Sequence, residues 1–394
     1  MPSALYLLAL AVFVMGTSEF MLAGLLPAIA ADLDVSVGTA GLLTSAFAVG
    51  MVVGAPMMAA FARRWPPRRT LVACLVLFAG CHVVGALTTM FPVLLLTRVL
   101  AALANAGFLA VALRAATAMV PADRKGRALS ILLAGTTVAT VAGVPAGSLL
   151  GSALGWRVTF WAVALLCAPA IIGVVRGVAN AVGSAEQTAA SPRLRAELRQ
   201  LATPMLLLPM GIGALINGGT FAAFTFLAPV VTEAAGLAEI WVSGALVLFG
   251  IGSFLGVALA GRLSDRRPWF VLFVGGPLLL TGWVGLAAFA SAPAALLVLV
   301  FVQGVLSFAV GSTVITRVLY AASGAPTMGG SYATAALNVG AAVGPVLGAV
   351  ALSAGWGLLA PIWVASGLTA AALAILLLTR HTQPGSQLCS SQKS

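Results

Sequence analysis

The sequence predicts an all-α polytopic membrane protein of about twelve transmembrane helices, arranged as two pseudosymmetric six-helix bundles. Three observations carry this. Charged residues are only 7% of the 394-residue chain and hydrophobic ones 61%, whereas a soluble domain carries about 25% charged residues. Apolar stretches long enough to cross the ~30 Å hydrocarbon core recur between loops marked by Pro, Gly and charge. The first half of the chain also repeats in the second. Pro27, Gly50, Gly54 and Arg64 match Pro229, Gly252, Gly256 and Arg266 at an offset of 202, and Pro145 and Gly155-Trp156 match Pro345 and Gly355-Trp356 at an offset of 200. Six spans repeated in the same orientation describe two bundles with a site between them.

In chain order, the spans are expected at 4–31, 39–62, 70–90, 93–119, 128–152, 158–179, 204–230, 240–261, 269–290, 294–318, 329–352 and 358–379. The first could be mistaken for a secretory signal, since Ala28-Ile-Ala30 resembles a cleavage site. Its apolar run is too long for one, and no Lys or Arg precedes it, so it reads as an uncleaved span. Basic residues fall in alternate loops: Arg63, Arg64, Arg68 and Arg69; Arg124, Lys125 and Arg127; Arg193, Arg195 and Arg199; Arg262, Arg266 and Arg267; then Arg380 and Lys393. The other loops hold Asp32, Asp34, Glu233 and Glu239, with Arg157 as their one basic residue. By the positive-inside rule both termini are cytoplasmic in a cell (plasma or inner) membrane. The expected organisation is an N-terminal bundle over 1–180, a cytoplasmic linker over 181–203, and a C-terminal bundle with a short tail over 204–394.

This placement also disposes of the net charge of +11. The charge sets orientation, and without a basic stripe interleaved with aromatics nucleic-acid binding is not expected. Cys74, Cys81, Cys167 and Cys389 form no C-x-x-C and have no His at ligand spacing. Neither a metal nor any cofactor is expected. The two histidines, His82 and His381, stand isolated, and no nucleophile–base pair is evident, so the chain does not read as an enzyme.

One carboxylate, Glu19, lies near the middle of the first span, in Gly16-Thr-Ser-Glu-Phe20. A charge at that depth costs roughly 3 kcal/mol, and such residues usually face a water-filled cavity and serve transport or proton relay. The alternative is a carboxyl kept protonated for packing, a role that Ser or Asn fills at lower cost.

The segments GTSEFMLAGLLPAIAADL, TSAFAVGMVVGAPMMA, RVLAALANAGFLAVAL and GSYATAALNVGAAVGP carry a resemblance. Over its whole length the chain resembles the twelve-span drug:proton antiporter branch of the major facilitator superfamily, and within it the bacterial chloramphenicol-efflux proteins. The resemblance implies the major facilitator fold, proton coupling through Glu19 and Arg98, and a drug cavity between the halves.

Arg98 is similar to the basic residue of the family's fourth-span motif. Alternatively it snorkels to the outer surface, since it lies near the start of its span. Asn105 follows seven residues later on the same helix face. The loop Gly261-Arg262-Leu-Ser-Asp265-Arg266-Arg is similar to the family's cytoplasmic gate motif, though it could serve topology alone. The matching loop in the first half departs from it, with Arg63 in place of the acid. Gly143-Val-Pro145 is a loose version of the antiporter signature and Gly340, Gly344 and Pro345 a closer one; either could be plain helix packing. Candidate cavity residues are Phe20, Asn105, Asn217, Phe221, Phe224, Gln303 and Asn338, and a polar or aromatic stripe of this kind is as often packing as ligand contact.

The implied function is proton-coupled export of a small amphipathic antibiotic, chloramphenicol first among them, by a monomer working in the lipid bilayer. A sugar or nucleoside-like metabolite is the alternative cargo. A non-transporting receptor or scaffold is the alternative class, disfavoured by the twelve-span repeat and the central carboxylate.

Overall fold

The computed structural model describes residues 2–61, 65–121, 124–178, 197, 199–263, 268–325 and 328–379. Among these, eleven helices are long and apolar enough to cross a membrane, and a bent pair supplies a twelfth span. No strand occurs among the described residues. The spans are expected in the right number and close to the right places. Their interruptions are not.

Span one is two helices, Ser3–Phe20 and Leu22–Asp32, meeting at 52°. The break falls at Met21, two residues after Glu19. The carbonyl of Ser18, which a continuous helix would commit to its own ladder, accepts a hydrogen bond from the Arg98 guanidinium at 2.7 Å. A side chain entering the i→i−4 ladder is one of the few recognised causes of a sharp bend. Spans two, three, four and six follow as Val37–Phe61, Pro67–Leu87, Phe91–Ala118 and Trp156–Gly177.

Span five, Lys125–Leu154, carries a π-helical turn at Ala139–Gly143, and span nine, Pro268–Ala288, carries another at Val271–Gly275. Proline explains both. Pro145 and Pro277 lack the N–H that would bond Val141 and Phe273, each of which lies inside the turn. Span seven is Pro204–Thr225, extended by Leu227–Pro229 and a third π turn, Val230–Ala234. Spans eight, ten, eleven and twelve are Ile240–Leu263, Pro293–Ala321, Gly329–Ser353 and Ala360–Leu378.

The repeat seen in the sequence is a packing rule. Gly50 and Gly54 seat span two on span four: a Cβ at Gly50 would stand 2.5 Å from the Val99 carbonyl, and one at Gly54 2.9 Å from Ala106. Gly252 and Gly256 seat span eight on span ten in the same way, against the Phe301 and Val305 carbonyls. Small residues allow this close approach where water gives no hydrophobic drive between helices. Gly155 and Gly355 both take positive φ, 88° and 77°, to turn the chain into the next span.

Each half has its own apolar core, and the two cores interlock near the loops that carry Asp32 and Glu233. There Phe226 of span seven enters the first half's core, its ring 2.5 Å from where a Gly41 Cβ would stand and 2.8 Å from the same point at Gly348. Leu246 lies against Gly24, and Thr140 against Gly250. The halves meet near the acidic-loop end.

Two polar contacts secure the ends. Asp32 pairs with Arg157 and accepts from the Trp156 indole at 3.2 Å, while Arg157 also donates to the Thr88 carbonyl at 3.0 Å. The one basic residue among the acidic loops is thereby tied to the first half's own acid. Glu197, fully buried, accepts the Met328 N–H at 2.9 Å, and its carbonyl accepts from the Tyr332 hydroxyl at 2.9 Å. These bonds fasten the end of the linker to the start of span eleven.

Candidate transport site

The site is built where the broken first span meets span four. Seven residues along a helix is two turns, so Arg98 and Asn105 project from one face and bracket Glu19. Glu19 is half-buried, with the Asn105 amide and the Arg98 guanidinium as its polar neighbours. Asn105 also lies 3.7 Å from the Met51 sulfur.

Arg98 is 1% exposed, so it does not snorkel. Its two terminal nitrogens both go to Ser18, one to the hydroxyl at 2.9 Å and one to the carbonyl at 2.7 Å. Its guanidinium carbon sits 4.6 Å from the centre of the Phe47 ring, within cation–π range. The Nε has no hydrogen-bond partner among the described residues. Beyond Ser18 the network continues: its hydroxyl lies 2.6 Å from His82 Nε2, and His82 Nδ1 lies 2.7 Å from the Phe78 carbonyl. His82 is therefore not isolated, contrary to the sequence reading. It is packed between Phe78 and Phe160, with ring centres at 4.4 and 5.5 Å.

On the far side of Glu19, Phe20 crosses to the second half. Its ring lies 5.8 Å from Phe221 and 6.3 Å from Phe224. The aromatic series runs on from Phe224 to Phe249 at 4.7 Å and from Phe249 to Phe308 at 6.1 Å. Carboxyl, amide and rings thus share one locus at the junction of the halves. Such a site can take up a proton, hydrogen-bond a polar group and stack an apolar or aromatic one.

The remaining candidates are distributed more widely. Asn217 donates to the Leu337 carbonyl at 2.7 Å, joining spans seven and eleven, and Asn338 donates to Thr334 on its own helix at 3.0 Å. Gln303 is corrected as a cavity residue: it is 1% exposed, donates to the Leu279 carbonyl at 3.1 Å and packs on Gly282 of span nine. A fully buried side chain presents no surface to a ligand.

Gly143 closes the π turn of span five where any Cβ would strike Thr17, and Pro145 begins the helix beyond it. Gly340 and Gly344 seat span eleven on Ala214 and Gly218 of span seven, with Pro345 inside the same helix. Gly261 and Arg262 end span eight. Asp265, Arg266 and the departing Arg63 lie outside the described residues. Ser18, His82, Phe47, Phe249 and Phe308 escape the sequence reading. A histidine in mid-span was the one available signal, because an ionisable side chain at that depth is a functional candidate by default.

Twelve spans in two like halves, with a carboxyl at their junction, define a polytopic membrane transporter. A family model described as the Major Facilitator Superfamily matches residues 8–335, and the chain belongs to that superfamily. It is 65% identical to a chloramphenicol resistance protein of Streptomyces lividans, over 95% of both chains. It is 32% identical to the inner membrane transport protein YdhP of Escherichia coli K12, over 94% of this chain and 93% of that one. A solved bacterial homolog of the human lysosomal transporter Spinster, inward-facing and occupied, superposes with a TM-score of 0.71 at 17% identity over 96% of each chain, a likeness of fold alone.

Proposed function

We propose that the chain exports chloramphenicol, or a small amphipathic antibiotic like it, in exchange for protons by alternating access. The single observation that carries this is Glu19, set near Asn105 and Arg98 and one residue from the ring contacts that join the halves. A carboxyl in that position senses both a proton and whatever fills the space between the bundles. The 65% identity to a chloramphenicol resistance protein supports the choice of cargo. The arginine-rich loops support a cytoplasmic placement of both termini. The bundles, 1–180 and 204–394, would rock about the linker over 181–203. Lining falls to Phe20, Asn105, Asn217, Phe221, Phe224 and Asn338. The close-packed Gly143, Pro145, Gly340, Gly344 and Pro345 helices seal the route against leak, and the Gly261–Arg266 loop gates the cytoplasmic side. The transporter works as a monomer, has no catalytic group and needs no cofactor.

The test is Glu19→Gln in cells and in proteoliposomes. The variant inserts and folds, and proton-driven chloramphenicol export falls to background. Undiminished export by a correctly inserted variant overturns the reading.

A further inference from the structure

We infer that Ser18 and His82 are positioning residues that hold the Arg98 guanidinium at Glu19. The partners leave one proton assignment. A guanidinium only donates, so the Ser18 hydroxyl oxygen accepts from Arg98 at 2.9 Å and its own hydrogen is free for His82 Nε2 at 2.6 Å. A ring protonated on both nitrogens would bury a second cation against Arg98, so that nitrogen is bare. The Phe78 carbonyl only accepts, so Nδ1 carries the ring's proton at 2.7 Å. His82 is a neutral imidazole anchored one helical turn back on its own span, and it fixes the direction of the serine hydroxyl.

The consequence falls on Arg98. Ser18 is 0% and His82 1% exposed, so water does not substitute for either contact. Both terminal nitrogens of Arg98 rest on Ser18, while Phe47 closes one face of its plane. The serine is the residue immediately before Glu19. The distance from the positive charge to the carboxyl is therefore set by the backbone of span one, with span three as buttress. The titratable and charged groups nearest this locus are Arg98 from span four, and His82 and Cys81 from span three; spans five and six, packed along span one, carry Lys125 and Arg127, and Arg157, Cys167 and Arg176. Span two faces it with Phe47, and span seven, Pro204–Thr225, holds no charged residue.

This inference rests on Glu19 as the proton carrier, and the experiment separates the two. Asn at position 82 keeps a donor where Nδ1 stands and loses the acceptor for Ser18. Gln keeps an acceptor where Nε2 stands. We expect His82→Asn and Ser18→Ala each to reduce export about threefold to tenfold, the worth of one buried hydrogen bond. Their pH profiles of export should move toward higher pH, because the charge that favours ionised Glu19 is no longer fixed beside it. His82→Gln should restore the wild-type rate and profile. The double variant Ser18→Ala/His82→Asn should be no worse than either single one, since both cut the same chain. If Glu19→Gln is inactive while His82→Asn keeps the wild-type rate and pH profile, the positioning role is overturned and the proton-carrier reading stands. If Glu19→Gln exports normally, that reading falls first.

Discussion

Arg98 could not be placed by its position in the sequence, which allowed a side chain reaching out to the membrane surface as readily as one turned inward. What decides is that Ser18 offers it two acceptors, a hydroxyl and a carbonyl, 2.9 and 2.7 Å away. A planar fork can use both at once and lie flat on Phe47 as well. Lysine cannot. Arg98→Lys therefore keeps the charge and loses the fork, and export should fall about tenfold or more, as expected for one charge-assisted bond. Rates in proteoliposomes, corrected for inserted protein, check this; an unimpaired lysine variant would mean that charge alone suffices. Glu19 stands out in the sequence because a lone mid-membrane acid is rare and costly. Ser18 does not, because serine is an ordinary residue in membrane helices. Its importance comes from neighbours 64 and 80 positions away.

At the level of helices, span number and approximate ends followed from apolar length, which the bilayer imposes directly. The break in span one did not, because its cause lies on span four. The π turns beside Pro145 and Pro277 have a local cause, but sequence alone does not distinguish a kink from an extra residue in the turn. Paired glycines were better signals than they first seemed. Gly50→Val and Gly252→Val force side chains into backbone carbonyls of spans four and ten. Each should destabilise its own half by about 1–3 kcal/mol, the usual cost of overpacking. Thermal unfolding in detergent measures this, and the two substitutions should act alike because the repeat is structural. Gly261→Val, with open space around it, should change little by comparison.

For the whole molecule, the exchange itself carries a testable sign. Chloramphenicol is uncharged at neutral pH, so one proton inward for one drug outward moves one positive charge inward. An inside-negative potential of 100 mV then contributes about 2.3 kcal/mol per cycle. Proteoliposomes given only that potential, at equal pH, should export chloramphenicol, and quaternary dyes should move poorly. Potential-insensitive export would rule out the one-for-one exchange. The halves that perform this rocking are joined by one covalent strand, and Glu197 ties that strand to the foot of span eleven. Any displacement of span eleven therefore carries Glu197 with it, so the junction between the halves travels as cargo of the second bundle.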